Sequence, residues 1–490
     1  MKLNTVFIYS VLLFFGSWNQ NTIMAQPEAS NWIFGDKAWL QFQPDSMVVA
    51  KSGAKQLAKE AQATISDSLG NLLFYTNCSK VWNRNHDLML NGVLYDTLLD
   101  PHHSTTQGAL ILPAPGSDYL YYLINPAVYT LIDMRLEGGL GAVVSESALT
   151  PIYPYLEDSL GVSEKSTSVR HANGRDWWLA QLRIKFDDGW QPEAHLSLTL
   201  INEDGVQESN NFPIMLSEAV SASQVVLGEM VFTPSGDKLA MIGSSQLFVW
   251  SFDRCTGEIQ EEILRIDTLT GGYGLAFSHD GKYIYYTTEN LSTPSALYQL
   301  SIIPDQFGVH NFLKLSEVSG MYSFHQLELG INNRIYVGTA HLLFPTEVFV
   351  PQNMALSVIN RPDLSGYACD FDTLTVSLGG NRTFFGLPNT VNYALGPLEG
   401  SDCDTLGGST SVPETTPIPQ WQMIPTVSSG LYAFNGPEQA QLIVYDVWGR
   451  TAWQGTATGQ RLDLSALPAG LYLVHALWEQ KQETFRIVKQ

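Results

Sequence analysis

The chain has 490 residues, a formal net charge of −22 and an aromatic content of 11%. That length allows two or more domains, and the apolar and aromatic content excludes a wholly disordered chain. A charge this negative repels a phosphate backbone, so nucleic acid is not expected as a partner. The acidity favours solubility in an exposed setting.

The first 25 residues have the pattern of a secretory signal peptide. A basic start at Lys2 precedes an apolar run from Val6 to Phe15, and polar residues then lead to Ala25. We therefore predict residues 1–25 as a signal peptide that is cleaved after Ala25. The alternative is an uncleaved anchor, but the apolar run is far shorter than the roughly 20 residues that span a bilayer. We expect no transmembrane span in the mature chain.

A hairpin recurs through residues 27–398. Each copy has a short apolar strand, a turn rich in Gly, Asp, Asn and Ser, and an aromatic second strand, as in residues 275–288 (LAFSHDGKYIYYTT). Such turn residues tolerate a left-handed backbone or bond to their own main chain, and the flanking residues suit a half-buried sheet. The predicted turns lie at Gly70, Gly116, Gly174, Gly236, Gly281 and Asn333.

The spacing of these turns predicts an all-β fold of the β-propeller type. Successive turns are on the order of 45–60 residues apart, which is close to one four-stranded blade. Further strand candidates, 246–252 and 296–303, fit between the turns. At about 50 residues per blade the region holds seven or eight blades, and we predict seven. The alternative is a pair of β-sandwiches, whose strands show no long repeat. Helical periodicity is scarce, and its best candidate is the short segment 54–62.

The body resembles known propellers in an ordered series of segments. The turns SHDG and PSGD before apolar strands resemble repeats of the WD-repeat-like and TolB-like superfamily. Further segments resemble a group of secreted propellers from Bacteroidota: NWIFGDKAWLQF (31–42), SDSLGNLLFYT (66–76), VWNRNHDLMLNG (81–92), STTQGALILPAPGS (104–117), RHANGRDWWL (170–179) and FDRCTGEI (252–259). Residues 44–60 depart from the group because they look longer and more helix-like. The resemblance implies an architecture and an extracellular location but no reaction.

A linker and a second β domain follow the body. Residues 399–420 are rich in Gly, Ser, Thr and Pro and contain almost no large apolar residues, so we predict a flexible linker. Residues 421–490 then show a new strand-and-turn pattern, which predicts a small antiparallel β-sandwich. This tail carries five acidic and five basic residues, so the acidity belongs to the body. The alternative role for the tail is an accessory, carbohydrate-binding domain.

The tail resembles the type A C-terminal sorting domain of the type IX secretion system of Bacteroidota. The family's opening Pro-Asn-Pro is reduced here to Pro425, Thr426 and Val427, which leaves the start of the domain open. The resemblance implies passage across the outer membrane through that machinery, removal of the tail, and release or surface attachment. The matched positions are Tyr445, Asp446, Gly449, Arg450, Leu467, Pro468, Gly470, Tyr472 and Lys489.

Four cysteines do not define a disulfide pattern. Export permits disulfides, and four cysteines allow three connectivities, which the sequence leaves open beside free buried thiols. None lies in a Cys-x-x-Cys pair, so zinc is not expected. The four are Cys78, Cys255, Cys369 and Cys403.

Known catalytic motifs are absent from the sequence. It contains no His-Glu-x-x-His, no Gly-x-Ser-x-Gly and no phosphate-binding loop. A Ser-x-x-Lys at residues 52–55 recurs at 235–238 inside a repeat turn, so this spacing is weak evidence for a catalytic site. Asp370 and Asp372 offer oxygen ligands for calcium, but a solvated pair is the favoured interpretation. We therefore predict no metal and no cofactor.

The expected geometry nominates a ligand site near the propeller axis. The strand before each turn is usually innermost, so its polar side chains point toward the central channel or its mouth. Such groups suit a glycan, peptide or anion, and the alternative is a water-filled channel whose side chains satisfy one another. Trp177 and Trp178 are interpreted as core rather than as a sugar platform. The candidates are His103, Thr106, Gln107, Arg170, His171, Tyr273, His325 and Gln326.

Three functional hypotheses follow. The leading one is a non-enzymatic surface or secreted propeller that binds a protein or glycan partner. The second is an extracellular hydrolase or lyase that acts on polysaccharide at the channel mouth, because a propeller can host many chemistries. The third is a structural part of the cell envelope or of the motility apparatus.

Overall fold

A computed structural model describes most of the chain, in two compact units of residues 1–407 and 408–490. The predicted signal peptide lies outside the described residues. In the first unit these are 26–43, 47–95, 104–153, 160–185, 193–216, 221–289, 293–306, 308–341 and 348–404. In the second unit they are 422–424, 427–435, 437, 439–446, 450–456, 461–478 and 481–489.

The first unit opens with a three-stranded sheet and a nine-stranded sheet. The three strands are β1 (Asn31–Phe34), β2 (Ala38–Phe42) and β3 (Val48–Ala50). The nine strands are β4 (Ala63–Ser66), β5 (Leu72–Thr76), β6 (Lys80–Asn83), β7 (Leu88–Val93), β8 (Leu110–Pro113), β9 (Leu120–Asn125), β10 (Val128–Asp133), β11 (Ala142–Val143) and β12 (Thr150–Pro151). A short parallel pairing of β11 with β7 joins the meander β4–β7 to the group β8–β12.

Four antiparallel sheets of four consecutive strands complete the first unit. The first two are β13 (Gly161–Arg170), β14 (Trp177–Lys185), β15 (Glu193–Asn202) and β16 (Gly205–Ile214), then β17 (Met230–Phe232), β18 (Lys238–Ile242), β19 (Leu247–Phe252) and β20 (Ile259–Ile266). The last two are β21 (Gly272–Phe277), β22 (Tyr283–Thr288), β23 (Ser295–Ser301) and β24 (Phe312–Val318), then β25 (Tyr322–Leu329), β26 (Ile335–His341), β27 (Ala355–Ile359) and β28 (Phe371–Ser377).

Helices are short and few among the described residues. One α-helix, α1 (Ala222–Val226), precedes β17. The 3₁₀ turns are Pro27–Ala29, Glu137–Gly139, Ser145–Ser147 and Gly366–Cys369. No helix in the described parts of the chain has the length and apolar character needed to cross a membrane.

The predicted hairpin turns have the backbone that their residues favour. All six turn residues have a positive φ, from 59° at Asn333 to 81° at Gly70. Glycine adopts this left-handed region without steric cost, and Asn tolerates it better than most residues. In the last three sheets the turn at Gly236, Gly281 or Asn333 connects the first strand to the second. The prediction of left-handed turns is therefore confirmed.

The core lies between neighbouring sheets rather than in one central layer. Trp32 of β1 packs with Tyr336 of β26, their ring centroids 5.3 Å apart. Trp177 and Trp178 are both buried, but they belong to different clusters because adjacent strand residues point to opposite faces. The interpretation of these tryptophans as core therefore agrees with their burial.

The first strands of the sheets gather around a common axis. Contacts link β1 to β4, β4 to β8, β13 to β17, β17 to β21, and β21 to β25. We call β4, β8, β13, β17, β21 and β25 the inner strands, and the line that they surround the axis. After β28 the chain returns to the first sheet, where Arg382 bridges Asp36 through the backbone and places its Nε 3.3 Å from that carboxylate.

Residues 54–62 are extended, so the helix candidate was wrong. Alternate residues from Ala54 to Glu60 are buried, a period of two that belongs to an extended chain. The side chain of Gln56 donates to Ile33 O at 2.8 Å, and Gln62 Oε1 accepts from Gly35 N at 2.9 Å. These bonds to β1 and its turn override a composition that favours helix.

A disulfide attaches a residue beyond position 398 to the first unit. Cys255 and Cys403 are bonded, with Cα atoms 5.5 Å apart, while Cys78 and Cys369 are buried thiols outside this disulfide. Leu398 N also donates to Ala172 O at 2.8 Å. The first residues of the predicted linker are therefore attached to the body.

The second unit consists of two sheets around one core. One sheet pairs β29 (Gln422–Ile424) and β34 (Arg461–Asp463) with β31 (Leu431–Asn435). The other has, in spatial order, β30 (Val427–Ser428), β36 (Lys481–Lys489), β35 (Gly470–Trp478), β32 (Gln441–Tyr445) and β33 (Thr451–Thr456), with β30 and β36 parallel. Phe434 of the first sheet and Val444, Val474 and Ile487 of the second belong to the same core.

Candidate functional site

Five of the eight predicted axis side chains lie together. Arg170 and His171 lie at the far end of β13, and His103 lies outside the described residues. The five that converge are Thr106, Gln107, Tyr273, His325 and Gln326, on or shortly before inner strands.

Tyr273 and Thr106 link carboxylates from distant parts of the sequence. Tyr273 OH donates to Glu60 Oε1 and lies 3.2 Å from Thr106 Oγ1. The backbone N and the hydroxyl of Thr106 each donate to Glu164 Oε2 at 3.0 Å. Ser104 Oγ donates to Glu60 Oε2, also at 3.0 Å. Each carboxylate is thus held in a fixed orientation.

These groups form one end of the axis, which we call the acidic mouth: Glu60, Glu164 and Glu289 with Thr106, Tyr273 and His325. Burial raises the pKa of Glu60 to about 7, and the negative charges of Glu164 and Glu289 add to the increase. The side chain of Glu289 is 32% exposed, and the burial of the rest raises its pKa as well. Glu164 and Glu289 are therefore the carboxylates that a ligand reaches first.

His325 is an unsatisfied polar side chain beneath this mouth. It is 1% exposed, and neither ring nitrogen has a hydrogen-bond partner among the described residues. Its Nε2 is 3.8 Å from Glu289 Oε2, which is too long for a hydrogen bond. Burial lowers the pKa of His325 to about 3, so the ring is neutral and the contact is no ion pair. A neutral imidazole keeps one nitrogen as an acceptor.

The side-chain amides of Gln107 and Gln326 form hydrogen bonds with backbone groups of other segments around the axis. Gln107 Nε2 donates to Met230 O at 3.0 Å, and its Oε1 accepts from Met230 N at 2.9 Å. Gln326 Nε2 donates to Thr106 O, and its Oε1 accepts from Leu387 N at 2.6 Å. Both amides are therefore used internally, which favours a structural role over ligand contact.

The chain itself occupies the axis below the mouth. Residues 385–393, which we call the axial segment, bond to inner strands from several sides. Asn389 Nδ2 donates to Ser166 O of β13 at 3.0 Å, and Thr390 Oγ1 donates to Glu328 of β25. Tyr393 OH donates to Ile111 O of β8 at 2.9 Å. The predicted ligand channel is therefore filled at this depth by the protein's own backbone.

A small cavity remains beside the axial segment. Its volume is about 100 Å³, enough for only a few water molecules. Glu328 and Asn389 are among the residues that line it. Burial raises the pKa of Glu328 well above its ordinary range. This part of the axis suits internal water better than a ligand.

A buried lysine and a buried glutamate lie between the mouth and the axial segment. Lys165 is fully buried, and its ammonium donates to the carbonyls of Leu227 and Gly228, the latter at 2.9 Å. Glu229 Oε2 accepts from the backbone N of Leu275 at 2.6 Å and of Leu327 at 3.2 Å. Burial lowers the pKa of Lys165 to about 7 and raises that of Glu229 to about 8.

Arg170 and His171 belong to a separate structural cluster. The guanidinium of Arg170 lies over the ring of Trp177, 3.8 Å from its centroid. His171 Nε2 is 3.0 Å from Cys255 O, beside the disulfide. Both side chains lie away from the acidic mouth, because β13 extends beyond the residues that line it.

The acidic mouth is rich in acceptors and poor in free donors. Its carboxylates and one nitrogen of the neutral imidazole accept hydrogen bonds, the other ring nitrogen keeps its proton, and the Tyr273 hydroxyl donates its proton to Glu60. Among the described residues, no group of three or more His, Cys, Asp or Glu side chains is arranged to hold a metal ion. The mouth is therefore suited to a ligand that brings several donors.

Sequence reasoning missed the carboxylates of this mouth. Tyr273 and His325 each lie eight residues before a turn residue, and Glu229 lies seven before Gly236. Counting back eight residues from Gly236 reaches Gly228, one residue before Glu229, so the spacing alone does not select Glu229. Glu60 and Glu289 lie outside this register, so only the fold brings them to the mouth.

We predict that Glu229→Gln flattens the pH dependence of stability. The folded protein keeps a proton on Glu229 between pH 4.5 and about 8, whereas the unfolded chain loses it near 4.5. Stability therefore falls as pH rises through this window, by at most about 1.4 kcal/mol per pH unit. Glutamine keeps a hydrogen-bond acceptor but carries no charge. The stability of the variant relative to wild type should therefore increase as pH rises from 4.5 to about 8.

Chemical unfolding of both proteins between pH 4.5 and 8 checks this prediction. The comparison with wild type at each pH cancels the opposite contribution of His325, and the points below pH 7 avoid the titration of Lys165, whose pKa depends on Glu229. The exposed Glu261→Gln is the control and should follow wild type. A stability difference that does not change with pH would show that Glu229 ionises normally.

The predicted sorting positions lie on turns and strand ends of the second unit. Gly449 lies outside the described residues. Arg450 Nε is 2.8 Å from Asp446 Oδ2 across the first turn, and Tyr472 OH donates to Pro468 O at 2.9 Å across the second. Leu467 packs against the core, while Gly470 pairs with Lys489 across β35 and β36, and Tyr445 ends β32.

The first unit is thus an all-β body with a filled axis and an acidic mouth.

No protein-family model matches the chain, and no curated protein matches it either. Several solved structures are weakly similar, all with TM-scores too low to carry an argument. A putative 6-phosphogluconolactonase from Bacteroides uniformis is 10% identical with a TM-score of 0.39, covering 73% of this chain and 98% of its own.

Two further solved structures have the same weak likeness. PorZ of Porphyromonas gingivalis, described as a surface component of the type IX secretion system, is 12% identical with a TM-score of 0.30, covering 92% of this chain and 62% of its own. The periplasmic gluconolactonase PpgL of Pseudomonas aeruginosa is 14% identical with a TM-score of 0.35, covering 79% of this chain and 93% of its own.

Proposed function

We propose that this chain is an exported, non-enzymatic β-propeller protein that binds a partner outside the cell. Its body is a seven-bladed propeller over residues 27–398, and its tail over 421–490 is a sorting domain for type IX secretion. The return of Arg382 to Asp36 supports the propeller, because it closes the ring between the last sheet and the first. The seven blades are β1–β3, β4–β7, β8–β12, β13–β16, β17–β20, β21–β24 and β25–β28.

One observation carries the choice of a binding protein over an enzyme. The axial segment fills the axis, and the amides of Gln107 and Gln326 are used on backbone groups. A hydrolase or lyase needs an open cleft with convergent reactive groups, and the filled axis leaves only the channel mouth for one. A filled axis instead makes a rigid platform, and rigidity favours binding because little order is lost on association.

The partner surface in this proposal includes the acidic mouth. Glu164 and Glu289 are partly exposed there, and Glu164 is held in place by the backbone N and the hydroxyl of Thr106. A strongly acidic body steers a cationic partner toward such a surface. Protein and glycan partners both remain within the proposal.

Delivery is tested by producing the full chain in a host with type IX secretion. We expect the protein on the surface or in the medium, with its tail removed. A variant without residues 481–489 loses β36 and should stay in the periplasm. A secretion-deficient strain is the control. Export of the truncated variant would contradict the sorting role.

Binding is tested with the secreted protein on a glycan array and in a cross-linked pull-down from the cell surface. A reproducible glycan or protein ligand supports the proposal. The absence of a specific ligand in both assays contradicts it, as does turnover of a polysaccharide by the purified protein.

A further inference from the structure

We propose that the acidic mouth binds an organic cation, the ammonium or guanidinium group of a basic ligand. This inference rests on the proposed binding function and names the chemistry of its partner. The groups that carry it are Glu60, Glu164 and Glu289 with the unpartnered ring of His325.

The first argument is the balance of donors and acceptors. Ammonium and guanidinium groups carry three and five N–H donors and no acceptor, which complements carboxylates and a neutral imidazole. Each of the proton donors Thr106, Ser104 and Tyr273 already donates to a carboxylate of the mouth. Among the described residues, a ligand that offered only acceptors would find one unused donor, the ring N–H of His325, beside several carboxylates.

The second argument is His325. Its two nitrogens are buried without a hydrogen bond in the described structure, beside Tyr273 at 4.7 Å between ring centroids and beside Glu289. A buried polar group without a partner costs free energy, roughly 1–3 kcal/mol, and such groups are rare. A donor that enters between Glu289 and His325 would remove this cost.

The third argument is charge. Two lysines act on the cluster, Lys59 on Glu60 and Lys165 on Glu164. Lys165 directs its protons to the carbonyls of residues 226–228, away from the carboxylates. The mutual repulsion of the three carboxylates therefore remains partly uncompensated, and it adds to the rise that burial causes in the pKa of Glu60. A bound cation relieves that repulsion.

The test uses calorimetric titration of the full-length protein with tetralysine and, separately, with spermidine. We expect binding that weakens with salt, because the attraction is between partly exposed charges. Glu164→Gln with Glu289→Gln should weaken binding about tenfold, which corresponds to roughly 1.4 kcal/mol. The control Glu261→Gln removes one exposed charge on β20 and should change binding less than about twofold.

The two probes distinguish the source of the cation. Tighter binding of tetralysine indicates a basic segment of a protein, and tighter binding of spermidine indicates a free polyamine; both support the inference. Competition by calcium chloride at equal ionic strength would overturn it in favour of a metal. Equal affinity in wild type and the double variant would overturn it as well.

A second measurement guards against misfolded variants. Tetralysine should raise the melting temperature of wild type and of Glu261→Gln but not of the double variant. His325→Phe removes the acceptor and keeps a ring, so it should weaken binding without loss of melting temperature. If a surface partner is captured equally by wild type and the double variant, the binding function stands and this inference fails. If no surface partner is found but tetralysine binds at the mouth, this inference stands and the proposed binding function fails.

Discussion

Lys165→Ala is expected to lower the free energy of unfolding by about 2–5 kcal/mol. The ammonium is fully buried and donates to the carbonyls of Val226, Leu227 and Gly228, at 3.4 Å for the first and 2.9 Å for the last. Alanine leaves those carbonyls unpaired and opens a cavity where the buried lysine side chain stood. Each of these changes destabilises the fold.

Denaturant unfolding at pH 7 measures this effect. Lys165→Met keeps the apolar stem, so its loss should be smaller, about 1–3 kcal/mol from the unpaired carbonyls. Lys185→Ala is the control, because that lysine is partly exposed and pairs with Glu193 at 3.8 Å, a surface contact of about 0–1 kcal/mol. Equal stability of Lys165→Ala and Lys185→Ala would contradict the role given to Lys165.

Loss of the disulfide in Cys255→Ser with Cys403→Ser is expected to cost about 2–4 kcal/mol. The bond closes a long loop, with a sequence separation of 148, and so restricts the unfolded chain. It also fixes the segment around residue 398, which crosses to Ala172. Export to an oxidising compartment would allow the bond to form.

Thermal unfolding with and without dithiothreitol checks the disulfide. The reductant should lower the melting temperature of wild type and leave the double variant unchanged, because the other two cysteines are thiols rather than a disulfide. A wild-type melting temperature that is insensitive to the reductant under unfolding conditions would mean that the bond contributes nothing.

The local features of the body could be predicted, because they depend on neighbours in sequence. Gly281 lies in a turn between an apolar and an aromatic strand, and both its positive φ and the flanking strands β21 and β22 follow from that pattern. Residues 54–62 show the limit of such reasoning. Their composition favours helix, but Gln56 and Gln62 bond to a strand roughly twenty to thirty residues away.

The candidate site could be predicted only in part. Tyr273 and His325 precede repeat turns at one spacing, so their convergence follows from the repeat. The axial segment does not repeat, and its bonds join residues such as Asn389 and Ser166 that are 223 positions apart. Nothing local in the sequence indicates such contacts. The disulfide pairing was open for the same reason, because Cys403 lies in a stretch with a linker's composition.

The most direct test is a crystal structure of the secreted protein grown with tetralysine. The account predicts seven blades closed by residues 382–389, the axial segment within the ring, and an ammonium group against Glu164 and Glu289. An open, solvent-filled axis, or a mouth that holds an anion in place of the ammonium, would contradict it.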